Sequence, residues 1–434
     1  MNEDPSSLPQ SGANRAETAQ VTVDDLTAGP YGVARLDGKT VLVPNSAPGD
    51  RLEITAAREH RGYTIARLRR VVSGGPGRRA APCPYLPACG GCDWQHLAYD
   101  EQIAAKSRLI AREFERALGF TPAGNLIEPA PAEFGYRSRL RLQVGKRGEL
   151  GFFELASNRL VAVERCLVAA DDLQLAAARS VAQALAPNVE ELEVVSAGER
   201  QVLVVYLRRP PDARATQRVR EAIGSEQANA GVILRAGAQR VVLGEVQIRL
   251  ELEPGLDLEV DADAFSQVNR QCNRKLIAAV VAAAELAAGD AVLDLFCGAG
   301  NLSLPLARRG ARVLGVDSDE IAIAAAARNA ARYQLDSARF VTMKAVQLAP
   351  FLARAGYRPA IAVLDPPRTG ARELMAALVR LRPRRVLYVS CDLATAVRDL
   401  RMLCGNGYTL VGVSGFDFFP NTHHTEILAV AVLT

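Results

Sequence analysis

The chain has 434 residues, 49% of them hydrophobic, enough to bury several cores, and a prior of roughly 150 residues per domain suggests about three domains. A net charge of +4 rules out an extreme polyelectrolyte and is compatible with a polyanionic partner without demanding one. The first residues carry neither a basic start nor an apolar run, so export and membrane spanning are not expected and a cytoplasmic location is, in which case the eight cysteines point to metal ligation or catalysis sooner than to disulfides.

Residues 1–18 are polar and without hydrophobic periodicity, which predicts a mobile tail. Five short strands follow, Val21–Val23, Gly32–Leu36, Thr40–Val43, Arg51–Ile54 and Tyr63–Leu68, separated by turn residues and sufficient for a small barrel over 19–79. Asp37-Gly38 supplies the pair that a tight hairpin prefers, because both positions must tolerate positive φ. With Gly29-Pro30-Tyr31-Gly32-Val33-Ala34, this block resembles a TRAM domain, an OB-like RNA-binding module. On that reading Arg58, Arg61, Arg67, Arg69, Arg70, Arg78 and Arg79 track phosphates, while Tyr31, His60 and Tyr63 stack bases. The alternative is a solvated arginine-rich face.

In the next segment, 80–262, Cys83, Cys89 and Cys92 lie within ten residues rich in glycine and proline, a backbone able to wrap an ion. Three ligands need a fourth, and Cys166 is the candidate, because the other cysteines belong to unrelated segments downstream. Four thiolates suit zinc and an iron-sulfur cluster alike, and spacing does not separate them. Residues 96–119 have the periodicity of an amphipathic helix, Tyr99 to Leu118, ending at Gly119, that can pack on the C-terminal domain. Arg137, Arg139 and Arg141 then share one face of an expected strand over 135–144, either to grip RNA or as an exposed sheet face. The remainder, to about residue 260, reads as α+β, with a helix near Asp172 to Ala186 and no catalytic motif.

From 263 to 434 the pattern is α/β. Phe265 to Asn269 opens an expected helix to Ala288, and the strand Ala291 to Phe296 runs into Cys297-Gly298-Ala299-Gly300-Asn301. The following strand ends at Asp317, the spacing at which an acid accepts ribose hydroxyls. Ser303 stands where a dinucleotide fingerprint needs its third glycine, so the loop resembles the S-adenosylmethionine loop of class I methyltransferases. Later strands end at Asp365-Pro366-Pro367-Arg368 and at Ser390-Cys391-Asp392, and a final pair, Thr409 to Phe416 and Glu426 to Leu433, closes the sheet.

Ligands of open α/β sheets bind beyond the carboxyl ends of the strands, and Cys391 and Asp365 both stand at such ends. Together with Glu426 they suit methylation of a pyrimidine carbon. Uracil C5 is too weak a nucleophile until a thiolate adds at C6, and the C5 proton must afterwards be removed by a base. Cys391 is the expected nucleophile, Glu426 the base, and Asp365 a group that orients the uracil or the cofactor. The target base must leave its stack, so a loop or single-stranded site is expected. Cys297 is the rival nucleophile, but its place inside the glycine loop faces the cofactor.

These motifs together resemble the RNA uracil-5-methyltransferase family over nearly the whole chain, and within it the branch acting on 23S ribosomal RNA. The resemblance implies an N-terminal OB-like (TRAM) β-barrel, a central α+β iron-sulfur domain and a C-terminal class I, Rossmann-like methyltransferase domain. It implies a [4Fe-4S] cluster on Cys83, Cys89, Cys92 and Cys166, with zinc as the alternative, and S-adenosylmethionine contacts from Gln267, Phe296, Gly298, Gly300, Asn301, Asp317 and Asp365. It further implies a monomer that makes 5-methyluridine. The tRNA branch is expected to lack both the barrel and the cluster. Asp317 replaces the family's usual glutamate, and Lys344 stands where an asparagine or aspartate is usual near the adenine. Other readings are an enzyme acting on tRNA or another rRNA uridine, a cytosine-5 methyltransferase, and a noncatalytic RNA-binding iron-sulfur protein.

Overall fold

The computed structural model describes residues 18–198, 200–224, 230–344, 347, 352 and 357–434. The tail expected over 1–18 lies, apart from Thr18, outside the described residues. Contacts divide the chain into two compact units, one running to Ala80 and including His96–Ala98, the other comprising Ala81–Gln95 and Tyr99–Thr434.

The first unit is a closed barrel of β1 (Thr18–Leu26), β2 (Tyr31–Leu36), β3 (Lys39–Pro44), β4 (Arg51–His60) and β5 (Tyr63–Ser73), in the order β1-β2-β3-β5-β4. Alternating residues fill it, among them Val21, Val23, Val41, Val43, Leu52 and Ile54, as the two-residue period of a strand requires. Asp37 and Gly38 both have positive φ, 48° and 74°, as the hairpin demands. Arg78 clasps the buried Asp50, with Nη2 2.6 Å from Oδ2. Burial alone would raise the Asp50 pKa, but Arg78 and the Gly75 and Ala47 N–H groups hold it below the ordinary value. Arg78 is thus a structural arginine, and Arg70 pairs with Glu53 at 2.9 Å. His60 and Tyr63 stack on each other, with ring centroids 4.7 Å apart.

In the second unit, α1 (Tyr99–Leu118) leads to the short β6 (Ile127–Glu128). A seven-stranded sheet follows, in the order β13-β12-β11-β10-β7-β8-β9. It comprises β7 (Arg139–Val144), β8 (Leu150–Phe153), β9 (Leu160–Ala162), β10 (Val189–Ser196), β11 (Gln201–Leu207), β12 (Ala230–Ala236) and β13 (Gln239–Leu243). Helices α2 (Leu175–Leu185) and α3 (Ala213–Ile223) share its core, and the hairpin β14 (Gln247–Glu253) with β15 (Leu256–Asp261) follows.

Helix α4 (Arg270–Ala284) leads into β16 (Ala291–Leu295), α5 (Ser303–Arg308), β17 (Arg312–Asp317), α6 (Glu320–Arg332) and β18 (Ala338–Thr342). After these come β19 (Ile361–Leu364), α7 (Arg372–Leu381), β20 (Arg385–Ser390), α8 (Leu393–Cys404), β21 (Tyr408–Phe416) and β22 (Glu426–Leu433). The sheet order is β18-β17-β16-β19-β20-β22-β21-β6, parallel from β18 to β20, with β22 antiparallel between β20 and β21. This is the class I methyltransferase order of strands, extended by β6. Its strands β16, β19 and β20 are almost wholly buried, as parallel strands covered on both faces must be.

Two expectations shift. The helix expected from Phe265 begins at Arg270, because Asn269 accepts a bond from Cys272 N and caps it. It ends at Ala284, where Glu285 turns left-handed. The strand expected over 135–144 begins at Arg139; Arg137 makes only isolated bridges, to Ala169 and Asn269. The eighth strand, β6, has no counterpart among the expected elements. Gly415 of β21 admits it, since a Cβ there would lie 2.5 Å from Ile127 Cδ1 and 2.8 Å from Ile110 Cδ1 of α1.

Candidate active site

The carboxyl ends of β16, β17, β19 and β20 bring the expected site residues to one edge of the sheet. After β16 the chain reverses through Phe296, Gly298 and Gly300, with φ of 62°, 52° and 100°; the two glycines adopt such values without strain, whereas Phe296 takes a conformation uncommon for a side-chain-bearing residue. Gly298 N donates to Asp317 Oδ2 at 2.9 Å and Asp319 N to Oδ1 at 3.0 Å, so the carboxylate is held in a fixed plane. Leu295, Phe296, Val316, Asp317, Ser318 and Met343 line a cleft of about 30 Å³ beside it. Asn301 exchanges two bonds with Asn273 of α4, 2.8 and 3.0 Å long. Lys344 is exposed, and Met343, not Lys344, lines that cleft. Phe265 is 79% exposed and Gln267 half-buried in the loop before α4.

Ser303, in place of a third glycine, has a chemical reason. Its hydroxyl donates to Asp294 Oδ2 at 2.5 Å beneath the loop. Burial, with the Asp365 and Asp317 charges adding, pushes Asp294 up to about 7.

Asp365 follows β19 directly, and desolvation pushes it up to about 6. The loop after it is pinned by Asp399 of α8, fully buried, which accepts from Ala371 N at 2.6 Å and from Tyr388 Oη at 2.7 Å. Arg368, at the exposed tip, approaches His424 Nε2 to 3.4 Å. Cys391 stands between β20 and α8, where Asp392 caps the helix by accepting from Thr395 N at 2.8 Å. Its thiol is pushed up to about 11, first by burial and then by the Glu426 and Asp365 carboxylates, while Arg368 opposes the shift. Glu426 opens β22 opposite Phe416 and is buried. Burial and the Asp365 charge hold its carboxyl well above the ordinary glutamate range, again opposed by Arg368. The Cys391 thiol and the Glu426 carboxyl therefore both feel the Asp365 charge, and Arg368 opposes the shift in each.

Cys297 lies elsewhere. It is 4% exposed, and its sulfur faces the site of Gly315, where a Cβ would come within 3.0 Å. Burial pushes its thiol far above the cysteine range.

The four other expected ligands, Cys83, Cys89, Cys92 and Cys166, line one cavity of about 170 Å³, together with Phe152 and Arg137. Among the described residues, no three His, Cys, Asp or Glu side chains are placed to hold a metal ion. Burial raises the Cys92 thiol to about 12. Of the arginines expected to face RNA, Arg139 is paired with Glu193 at 2.8 Å. Arg141 is paired with Glu191 and lies 4.8 Å over the Tyr206 ring. That face is therefore internally neutralised, and only Arg137 departs from it, over Phe419 at 5.5 Å.

Sequence reasoning missed a set of residues behind Glu426. Lys106 of α1 donates to Asp417 Oδ1 at 2.5 Å with both side chains 0% exposed. Asp93 meets His423 Nδ1 at 2.5 Å. The one available signal was helical phase, since Gln102, Lys106, Leu109 and Ile110 share the buried face of α1, where a lysine needs a partner.

Residues 98–431 match the family described as tRNA (Uracil-5-)-methyltransferase. Residues 19–76 match the TRAM domain of tRNA (uracil(54)-C(5))-methyltransferase. The chain is similar to the 23S rRNA (uracil(1939)-C(5))-methyltransferase RlmD of Pseudomonas putida, 34% identical with 95% of this chain and 93% of that one covered. The protein of the same name from Edwardsiella ictaluri is also 34% identical, with 94% of each chain covered. In fold it is similar to Pyrococcus abyssi tRNA (uracil-54, C5)-methyltransferase, solved with S-adenosyl-L-homocysteine, at a TM-score of 0.70 and 24% identity over 95% of this chain and 100% of that one. An enzyme named for tRNA thus matches over 95% of this chain, and the barrel segment matches a TRAM domain also named for tRNA. The expectation that the barrel separates the rRNA branch from tRNA enzymes does not hold.

Proposed function

The chain belongs to the tRNA (uracil-5-)-methyltransferase family, and on that premise we propose that this RNA uracil-5-methyltransferase methylates a uridine of 23S ribosomal RNA through a covalent bond between Cys391 and uracil C6. The observation that carries the mechanism is the meeting of a half-buried thiol, two carboxylates and a guanidinium where β19 and β20 end and β22 begins, Ser390 being paired with Ile427. Cys391 Sγ adds to C6 once its thiol proton has passed to bulk water, and the Arg368 guanidinium lowers the cost of the anion. Electron density then gathers at C5. The positive-φ glycine loop and the fixed Asp317 would hold S-adenosylmethionine, which when bound would supply an electrophilic methyl group and leave as S-adenosylhomocysteine. C5 now bears both methyl and hydrogen. Glu426 takes the proton, and a carboxylate whose pKa is raised is the stronger base for it. Loss of that proton restores the C5–C6 double bond and expels Cys391 Sγ. Asp365, rigid between β19 and Pro366, orients the ring or the cofactor.

The two 34%-identical relatives named for 23S ribosomal RNA support that substrate. A uridine in a loop or single strand is the cheapest to flip from its stack, and a monomer in the cytoplasm suffices for the work. No helix among the described residues is long and apolar enough to cross a membrane. Four thiols lining one cavity of about 170 Å³ are the donor set of a [4Fe-4S] cluster, with zinc as the alternative that the same thiols would suit. Cys83, Cys89, Cys92 and Cys166 would hold the cluster. It would supply order to their loop, since this methyl transfer needs no electron. On this reading the domains divide at 19–79, 80–262 and 263–434.

The test is mass mapping of 5-methyluridine in ribosomal and transfer RNA from a strain lacking the gene. One 23S uridine should lose its methyl group. Loss from tRNA alone would reassign the substrate, and unchanged RNA would overturn the proposal.

A further inference from the structure

The loop between β21 and β22, residues 417–425, closes the hairpin whose last strand begins with Glu426, and its backbone is held from outside to an unusual degree. Cys272 Sγ donates to the Asp417 carbonyl at 3.4 Å, and Asn269 Nδ2 to that of Phe418 at 3.1 Å. Lys106 Nζ donates to the Phe419 carbonyl at 3.2 Å, and Tyr136 Oη to that of Pro420 at 3.0 Å. The Asn421 carbonyl accepts from Asp93 N and Trp94 N, at 3.2 and 2.9 Å. Five successive carbonyls are therefore taken, and Asn421 itself sits at a φ of 67°.

Further bonds made by side chains complete the hold. Asp93 accepts from His423 N at 2.9 Å through Oδ1 and meets His423 Nδ1 through Oδ2. Lys106 is locked to Asp417, whose second oxygen accepts from Tyr99 Oη at 2.8 Å. Gln102 receives a bond from Asn421 N at 2.7 Å and donates to Trp94 O at 3.2 Å. The donors and acceptors from 93 to 106 thus follow immediately after Cys92 and grip the loop that ends at Glu426. Within that loop His424 stands against Arg368, the cation that faces both Cys391 and Glu426.

We infer that Asp93 and Lys106 are positioning residues for the proton-removal step: the segment Asp93–Lys106 is a clamp that makes the placement of Glu426 depend on the ordered end of the cysteine loop. The inference rests on the proposed covalent route with Glu426 as base. A hairpin loop of nine residues freed of these bonds would move the first residue of β22 relative to the substrate, while Arg368 stays on the turn after β19 that Asp399 holds. A displacement on the order of 1 Å is enough to cost about a hundredfold in rate. Adduct formation, which needs Cys391 on the separately anchored β20–α8 turn, would be spared. The clamp therefore predicts a specific failure, in which methyl is transferred but the adduct is not released.

The experiment uses the full-length protein and an RNA carrying its natural uridine. Asp93→Ala should lower kcat by about 10- to 100-fold with KM for RNA unchanged. It should also accumulate a denaturation-stable, methyl-labelled protein–RNA adduct, while trapping by 5-fluorouridine RNA proceeds at the wild-type rate. Asp93→Asn, whose amide oxygen can still accept from His423 N, should recover much of the turnover. Lys106→Met combined with Asp417→Asn removes the buried charge pair without stranding either charge. It should show the same accumulation, from side chains that solvent and RNA cannot reach, and it serves if Asp93→Ala does not fold. Unchanged turnover in both variants, or equal loss of turnover and trapping, would overturn the clamp. Glu426→Gln is the control. If it accumulates adduct and the clamp variants do not, only the clamp falls; if it accumulates none, the base assignment falls and the clamp with it.

Discussion

At the scale of single residues, the site is a problem in charge. Cys391 is held as a thiol, pushed up to about 11 by burial and by the two carboxylates, although the reaction consumes its anion. The sign follows directly. A thiol whose pKa is raised contributes less thiolate at neutral pH, so the rate of addition by the free enzyme must climb with pH until the thiol itself titrates. Trapping by 5-fluorouridine RNA, measured as a second-order rate, should rise about tenfold per unit from roughly pH 7 to 9 without levelling near about 8.5, the ordinary cysteine value. A plateau beginning near neutrality would show that the thiol is not held as the structure holds it. His424, pushed down to about 4 by burial, His423 and Arg368, is a neutral imidazole throughout that range and adds no break of its own.

At the scale of elements, what was legible in the sequence was whatever has a local cause. The barrel strands alternate, α1 has helical phase and stops at Gly119, and β16 runs into a glycine loop, so each was readable from spacing alone. Cys391 and Asp365 were legible because each follows an apolar strand with a polar turn. What escaped depends on partners remote in the chain. Helix α4 starts at Arg270 because of the Asn269 cap, and β6 pairs with β21 where Gly415 leaves room for Ile127 and Ile110. Arg139 and Arg141 could be read as gripping RNA or as an exposed sheet face, and neither reading anticipates Glu193 and Glu191 of β10, some fifty residues on, which lie opposite them. Lys106 and Asp417 are 311 positions apart. The cysteine loop is intermediate, for its thiols were legible but the size of the cavity they share was not. Protein purified without oxygen should contain iron and acid-labile sulfide in equal amounts and absorb in the visible, whereas stoichiometric zinc without iron would contradict the cluster.

At the scale of the whole molecule, the chain couples a barrel of TRAM type, a cysteine-bearing α+β sheet and a methyltransferase sheet in one polypeptide, and relatives named for both ribosomal and transfer RNA share nearly its full length. Neither the barrel nor the length selects the RNA. The chemistry is common to either substrate, which places its test on the protein. Mass analysis of the complex trapped with 5-fluorouridine RNA and S-adenosylmethionine is the most direct measurement. The nucleotide should be found on the peptide containing Cys391, methylated at C5, with no complex from Cys391→Ala and an undiminished one from Cys297→Ala. Attachment at Cys297, or full methylation of RNA by Cys391→Ala, would contradict the account.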